Sequence, residues 1–236
     1  MPQAKLTWVR SYVVERGREA DFAQYLRDYT KPMMERLIAD KKILGWGAGF
    51  PITADEDPAT NLVWVALPDW NGAEAIGQAI ESMDRNATPA DMQKMMRLGS
   101  SIREGSVRDV ILRHLVQSDT PPLQNAKYIV VDTYTVHPGR NADAVALFNE
   151  WAKPVYAADG VKSRVGPWGF STQAIPTSAP WTHMVWTFIS DLGAMDAMDT
   201  AAMSMDARKL QGFDVRLRDM ADVTKSRSQI IRIMTP

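Results

Sequence analysis

The amino-acid sequence predicts an α+β protein that contains one βαββαβ unit twice. Three observations support this fold class. The chain matches itself when it is shifted by 122 residues, the two matched parts alternate strand-like and helix-like segments in the same order, and a polar segment with paired prolines separates them.

The internal match extends from Val9 to Asp84 without a gap. Over these 76 positions, 21 residues are identical to their partners at 131–206, whereas average residue usage gives about 5 by chance. Four of the 8 tryptophans lie in register, as the pairs Trp46/Trp168 and Trp64/Trp186. We infer that an ancestral unit was duplicated.

The repeat boundaries follow from the match. We expect an N-terminal repeat at 1–117, a linker at 118–126 and a C-terminal repeat at 127–236. The linker contains Pro121 and Pro122 among small polar residues, and such a segment continues neither a helix nor a central strand.

The N-terminal repeat opens with a strand at 6–14, which is rich in β-branched and aromatic residues and ends at Gly17. A helix follows at 19–39, because its apolar residues recur every three or four positions. Further strands are expected at 43–53, 61–68 and 107–116, and further helices at 72–83 and 91–98. In the C-terminal repeat, strands are expected at 127–136, 161–175, 181–189 and 226–234, and helices at 142–157 and 194–210.

The third strand of each repeat is apolar at both alternating sets of positions, as in the segments 62–67 and 184–189. In a sheet with one solvent-exposed face, each strand would alternate apolar with polar residues. Both faces of this sheet are therefore expected to be covered. Two antiparallel ferredoxin-like sheets, each with helices on one face, can cover each other's free faces. This arrangement resembles the dimeric α+β barrel superfamily, here with both units in one chain.

The resemblance implies a range of activities. The superfamily includes cofactor-independent monooxygenases, small-molecule isomerases and cyclases, and haem proteins of the chlorite-dismutase type. In these relatives the ligand usually lies between each sheet and its own helices. The sequence matches no catalytic signature of a member family.

The composition of the chain disfavours several classes of partner and site. The net charge of −1 disfavours nucleic acid as a partner, since no excess of basic residues is available. No apolar run is long enough to span a membrane, and the lack of cysteine excludes disulfides and thiolate sites. The start of the chain predicts a cytoplasmic protein. The alternative is an exported protein, in which Met1 replaces a removed signal peptide.

The recurring aromatic and basic residues are candidate ligand-binding groups. Trp46, Trp64, Trp168 and Trp186 would wall a pocket for a flat apolar molecule, or would simply fill the core. Tyr12 and Tyr134 on the first strands would donate hydrogen bonds to a ligand, or would be ordinary buried tyrosines. Lys31 and Lys153 each precede a proline inside the first helix of a repeat, where a bend would open a space with the lysine at its mouth. A structural kink explains the same pattern.

The histidines mark a difference between the repeats. His183 occupies the position of Asn61, and His137 that of Glu15. A single active pocket in the C-terminal half would give such an asymmetry, with His183 or His137 carrying a proton and Tyr134 as a further catalytic candidate. His114, on a strand, is the weakest candidate. The histidine spacing indicates no metal site.

The sequence therefore predicts a single-chain pseudo-dimer that binds a small apolar or aromatic molecule, with a further homodimer left open. Any reaction is expected to be a cofactor-independent oxygenation, isomerisation or cyclisation. The alternatives are a structural or assembly protein without a catalytic pocket, and a haem protein with one histidine as axial ligand.

Overall fold

The computed structural model describes residues 3–53, 59–121, 123–205 and 207–234. Pro122 of the predicted linker lies outside these ranges. The strands are β1 Leu6–Tyr12, β2 Gly45–Pro51, β3 Asn61–Leu67, β4 Arg108–Gln117, β5 Tyr128–Val136, β6 Val165–Gln173, β7 His183–Ile189 and β8 Ala221–Met234. The helices are α1 Glu19–Tyr25, α2 Lys31–Ala39, α3 Trp70–Asn86, α4 Pro89–Gly99, α5 Asn141–Ala157, α6 Asp159–Lys162, α7 Gly193–Met203 and α8 Ala207–Met220, with a π-helical turn at Leu26–Thr30.

The strands form a closed barrel in the order β1-β3-β2-β8-β5-β7-β6-β4. This confirms the predicted α+β fold with a single-chain barrel. In the described ranges, no helix is both long and apolar enough to cross a lipid bilayer.

The chain divides into two compact units. The N-terminal unit comprises the described residues up to 51, those at 59–113, and Met234. The C-terminal unit comprises 52–53 and the described residues at 114–233. In the N-terminal unit β1 pairs with both β3 and β4, and in the C-terminal unit β5 pairs with both β7 and β8, all antiparallel. The repeat boundaries drawn from the sequence stay a prediction.

The helix predicted at 19–39 is helical throughout but irregular. Between α1 and α2 the backbone forms the π-helical turn that ends at Thr30, directly before Lys31 and Pro32. Proline lacks the N–H that an α-helix needs, and its ring crowds the carbonyl four residues earlier, so a wider turn relieves both problems. Pro154 lies inside α5, which ends at Ala157.

Two helices of the C-terminal unit were not predicted. The first is the short α6 Asp159–Lys162, which overlaps the start of the strand expected at 161–175, so that β6 begins only at Val165. The second is α8. The sequence analysis placed a single helix at 194–210 and a strand from 226, whereas the structure has two helices, α7 and α8, followed by β8 from Ala221. The side chains of Phe213, Leu217 and Met220 pack in the core with the spacing of one helical face. Gly212 within this helix weakens the sequence signal.

The core of the C-terminal unit lies between β5, β6 and β7 on one side and the helices on the other. Val130 of β5, Phe170 of β6 and Val185 of β7 belong to one buried cluster with Leu147 and Phe148 of α5. These strand residues share one face of the sheet, which is called the helix-facing side here. The layer that it forms with the helices is the helix–sheet layer.

Two tryptophan–glycine contacts recur in the repeats. A Cβ built on Gly47 would lie 2.3 Å from the ring of Trp64, and one built on Gly169 would lie 2.6 Å from the ring of Trp186. Each of these indoles therefore lies directly over a glycine of the neighbouring strand, which explains why glycine recurs at this position of both repeats.

We expect Gly169→Ala to lower the free energy of unfolding by about 1–3 kcal/mol, as overpacking of a filled site does. The added methyl group would also meet the carbonyl oxygen of Val116 at 2.8 Å, so movement of the indole alone cannot accommodate it. Urea denaturation measures the effect. Gly77→Ala in α3 is the control, because its Cβ meets open space and alanine favours a helix. Equal stability of Gly169→Ala and the wild type would contradict the contact.

Candidate functional site

The candidate site lies in the helix–sheet layer of the C-terminal unit. In the register of β5 with β7, Tyr134 lies opposite His183, Asp132 opposite Val185, and Val130 opposite Thr187. Successive side chains of a strand point to opposite faces, so these residues share the helix-facing side with the core cluster. The side of the sheet that packs on helices thus carries a histidine, a tyrosine and a carboxylate.

His183 is the most unusual residue of this layer. It is 2% exposed, and its ring stacks on Phe170 with a centroid distance of 5.2 Å. Its Nδ1 lies 2.9 Å from Oγ1 of Thr182. Its Nε2 is buried and has no hydrogen-bond partner among the described residues. Buried polar atoms are rarely left unpaired, so Nε2 is a candidate position for a hydrogen bond from outside the described residues.

The contacts of Thr182 favour one tautomer of His183. The Thr182 Oγ1 accepts a hydrogen bond from the Val136 N–H at 2.9 Å and lies 3.3 Å from the carbonyl oxygen of Tyr134. If His183 Nδ1–H donates to this Oγ1, the single hydroxyl hydrogen is free to donate to Tyr134, and all three contacts are satisfied. Nε2 then presents a lone pair.

Burial lowers the pKa of His183 to about 4. The imidazole is therefore neutral at pH 7 and acts as a hydrogen-bond acceptor or as a base. A buried neutral base becomes a stronger proton acceptor when its partner turns anionic, because the resulting ion pair stabilises the imidazolium.

Tyr134 and Tyr156 bring two phenols to the same layer. Tyr156 of α5 bonds Thr187 at 2.8 Å between hydroxyl oxygens, and burial raises its pKa to about 12. Burial also raises the pKa of Tyr134, and the nearby Asp132 carboxylate adds to this effect. Both phenols stay protonated at pH 7 and are able to donate hydrogen bonds.

Aromatic rings enclose these polar groups. Phe148 of α5 stacks on Phe170 at 5.1 Å, on the same ring that stacks on His183. Trp168 contacts Phe148 at 5.7 Å and Tyr156 at 4.7 Å between ring centroids. The environment is suited to a flat, largely apolar molecule with a few polar substituents.

A crevice of about 140 Å³ opens beside this layer. Arg140, Asp143, Leu147, Arg216 and Met220 line it. Leu147 and Met220 also belong to the buried core cluster, and Leu147 is adjacent in α5 to the stacked Phe148. The crevice therefore lies one residue along α5 from the stacked aromatic rings.

The structure separates the tryptophans that the sequence grouped together. Trp168 is 7% exposed and packs in the core on the helix-facing side. Trp186 lies on the opposite face, where its Nε1 donates to Ser171 Oγ at 3.0 Å and its ring contacts His114 at 5.5 Å. The Nδ1 of His114 lies 2.8 Å from the same Ser171 hydroxyl, and burial lowers the pKa of His114 to about 4.

The remaining candidates lie outside the C-terminal layer. In the N-terminal unit, Tyr12 contacts Phe22 at 5.3 Å, and burial raises its pKa to about 12. Trp46 and Trp64 are partly buried on β2 and β3, and Lys31 is partly buried at the start of α2. His137 and Lys153 of the C-terminal unit are exposed. Of the predicted residues, the structure thus brings together Tyr134, His183 and Trp168.

Sequence reasoning missed Asp132, Tyr156 and Phe170. Asp132 could have been noticed, because it is a charged residue in the middle of a predicted apolar strand. Charged side chains are rare at such buried positions. Tyr156 and Phe170 carry no signal that distinguishes them from core residues. Their role depends on tertiary packing against His183 and Trp168.

Solved structures share this fold along nearly the whole chain. A candidate monooxygenase from Fusobacterium nucleatum aligns with a TM-score of 0.65 and 10% identity, covering 100% of this chain and 94% of its own. An anthrone oxidase-like protein aligns with a TM-score of 0.58 and 11% identity, covering 98% and 91%. A candidate chlorite dismutase aligns with a TM-score of 0.55 and 14% identity, covering 98% and 94%.

The closed barrel and these neighbours together define the class: the chain has the dimeric α+β barrel fold. At such low identities the likeness shows the fold alone. No model of a protein family matches the sequence, and no curated protein matches it.

The buried histidine makes stability depend on pH. As the pH falls from 6.5 towards 4, the unfolded chain protonates His183 while the folded chain does not, so the free energy of unfolding decreases, by up to about 3 kcal/mol from this residue. Urea denaturation at several pH values measures this. His183→Asn, which installs the residue of the other repeat, should weaken the dependence. His137→Asn, at an exposed position, should keep it, and identical pH profiles for wild type and His183→Asn would refute the assignment.

Proposed function

We propose that the chain is an enzyme that binds a small hydroxylated aromatic molecule in the helix–sheet layer of the C-terminal unit and removes a proton from it through His183. The observation that carries this proposal is the buried Nε2 atom of His183, which has no partner among the described residues and lies in an aromatic layer. An unpaired buried acceptor is costly unless a bound molecule supplies the missing hydrogen bond.

The site provides each part that such a reaction needs. The neutral imidazole of His183 accepts the proton of an aromatic hydroxyl, and the resulting imidazolium and phenolate stabilise each other in a poorly solvated layer. Tyr134, directly opposite on β5, is protonated and can donate to an oxygen of the ligand. Phe170 and Trp168 provide apolar surface for the ring system.

Proton removal makes the aromatic molecule electron-rich, and an electron-rich anion is the form that reacts with dioxygen or rearranges its bonds. The same first step therefore serves oxygenation, isomerisation and cyclisation. The names of two fold neighbours, a candidate monooxygenase and an anthrone oxidase-like protein, support oxygenation as the reaction class.

Two alternatives predict different results. A structural or assembly protein would not bind small aromatic molecules in this layer. A haem protein would use a histidine nitrogen as axial ligand, and the purified protein would then show a Soret band in its visible spectrum. A Soret band from protein isolated from its source would replace the present proposal.

The binding test uses 4-propylphenol and its methyl ether, 4-propylanisole, which has no hydroxyl hydrogen to donate. We expect the wild type to bind the phenol about tenfold more tightly, because one hydrogen bond to His183 contributes on the order of 1 kcal/mol. Calorimetric titration, or quenching of tryptophan fluorescence, measures the two dissociation constants.

His183→Asn should bind both compounds with similar affinity, and Lys153→Ala, at an exposed position of α5, should keep the wild-type preference. Equal binding of phenol and ether by the wild type would exclude His183 as the recognition group. The absence of binding of either compound would exclude the site.

A further inference from the structure

Asp132 is a charged residue that the proposed reaction does not use. It lies in the middle of β5, between Val130 and Tyr134 on the helix-facing side. Its Oδ1 accepts a hydrogen bond from the hydroxyl of Ser228 on β8. Burial raises the pKa of its carboxyl group, and no ion pair with Asp132 occurs among the described residues.

The N-terminal repeat has a residue of opposite charge at the equivalent position. Arg10 is the counterpart of Asp132 in the internal match, and its guanidinium donates to both carboxylate oxygens of Asp109, at 2.7 and 2.8 Å. In the N-terminal unit the charge on β1 is therefore neutralised by a neighbouring strand. In the C-terminal unit the strand carries the opposite charge, and its one described partner is the neutral Ser228 hydroxyl.

Asp132 and His183 belong to one surface. Tyr134 lies directly opposite His183, and Asp132 is two residues from Tyr134 on the same strand face. Diagonal neighbours of this kind lie about 7 Å apart on an antiparallel sheet. Tyr156 reaches the same face of the sheet, because its hydroxyl bonds Thr187, which lies diagonally from Asp132 across β5 and β7.

We propose that Asp132 binds a protonated amine of the ligand, so that the molecule taken up by this site carries an aromatic hydroxyl at one end and an ammonium group at the other. This inference rests on the proposed function, because the hydroxyl end is the one that meets His183. The unpartnered Nε2 of His183 independently indicates a ligand in the same layer.

Elementary electrostatics supports an ammonium group at this place. Asp132 is partly buried, so an opposite charge beside it stabilises its carboxylate, and an ammonium group supplies both that charge and hydrogen-bond donors for the free oxygen. Tyr134 and Tyr156 nearby offer ring faces that also attract a cation.

Tyramine and 4-propylphenol form a matched pair for the test, since they differ only by an ammonium group in place of a methyl group. We expect the wild type to bind tyramine at least about tenfold more tightly. Asp132→Asn should lose this preference while it binds 4-propylphenol as the wild type does. Asp132→Thr, with a side chain suited to a strand, gives a second test should the asparagine variant not fold.

Asp109→Asn is the control, because it makes the same acid-to-amide change in the N-terminal unit and should leave the tyramine preference intact. Calorimetry with the intact chain measures all affinities. Wild-type protein that binds 4-propylphenol as well as tyramine, or Asp132 variants that keep the tyramine preference, would overturn the ammonium site and leave the proposed function standing. Failure of both compounds to bind would overturn both proposals together.

Discussion

The pairing of β5 with β7 is the constraint on which the candidate site depends. Its register places Tyr134 opposite His183, and the alternation of side chains then assigns Asp132, Val185 and Thr187 to the same face. A shift of β7 by one residue would move His183, Val185 and Thr187 to the other side of the sheet, away from Tyr134 and Asp132. The hydroxyl of Thr182 fixes this register at the end of the strand pair, since it contacts both the Val136 N–H and the Tyr134 carbonyl oxygen.

The two repeats share this backbone arrangement, which is called the strand frame here, but they carry different side chains on it. Thr60 of the N-terminal unit accepts from the Val14 N–H at 2.7 Å, as Thr182 does from Val136. At the next position, however, Asn61 stands where the C-terminal repeat has His183. The strand frame depends on backbone groups, which every residue carries, so the side chains beside it are free to differ. The same backbone arrangement can therefore carry a histidine in one half and an asparagine in the other.

Much of the fold could be predicted from the sequence because it depends on local periodicity and on the repeat. The β-branched and aromatic segments located the strands, the three- and four-residue spacing of apolar residues located the first helix, and the internal match related the two halves. The faces of the tryptophans could not be predicted. The third strands are apolar at both alternating positions, so only the tertiary arrangement shows that Trp168 packs under α5 while Trp186 bonds Ser171 on the opposite face.

The site was predictable to a lesser degree, for a physical reason. The contrast of His183 with Asn61 singled out the histidine, but the property on which the proposal rests is the unpaired Nε2, and this depends on which side chains do not reach it. Phe170, which the sequence does not distinguish from other apolar residues, stacks on the imidazole ring of His183 and contributes to its burial. This burial desolvates the imidazole and lowers the pKa of His183, so the ring stays neutral at pH 7, and no local sequence pattern reveals that environment.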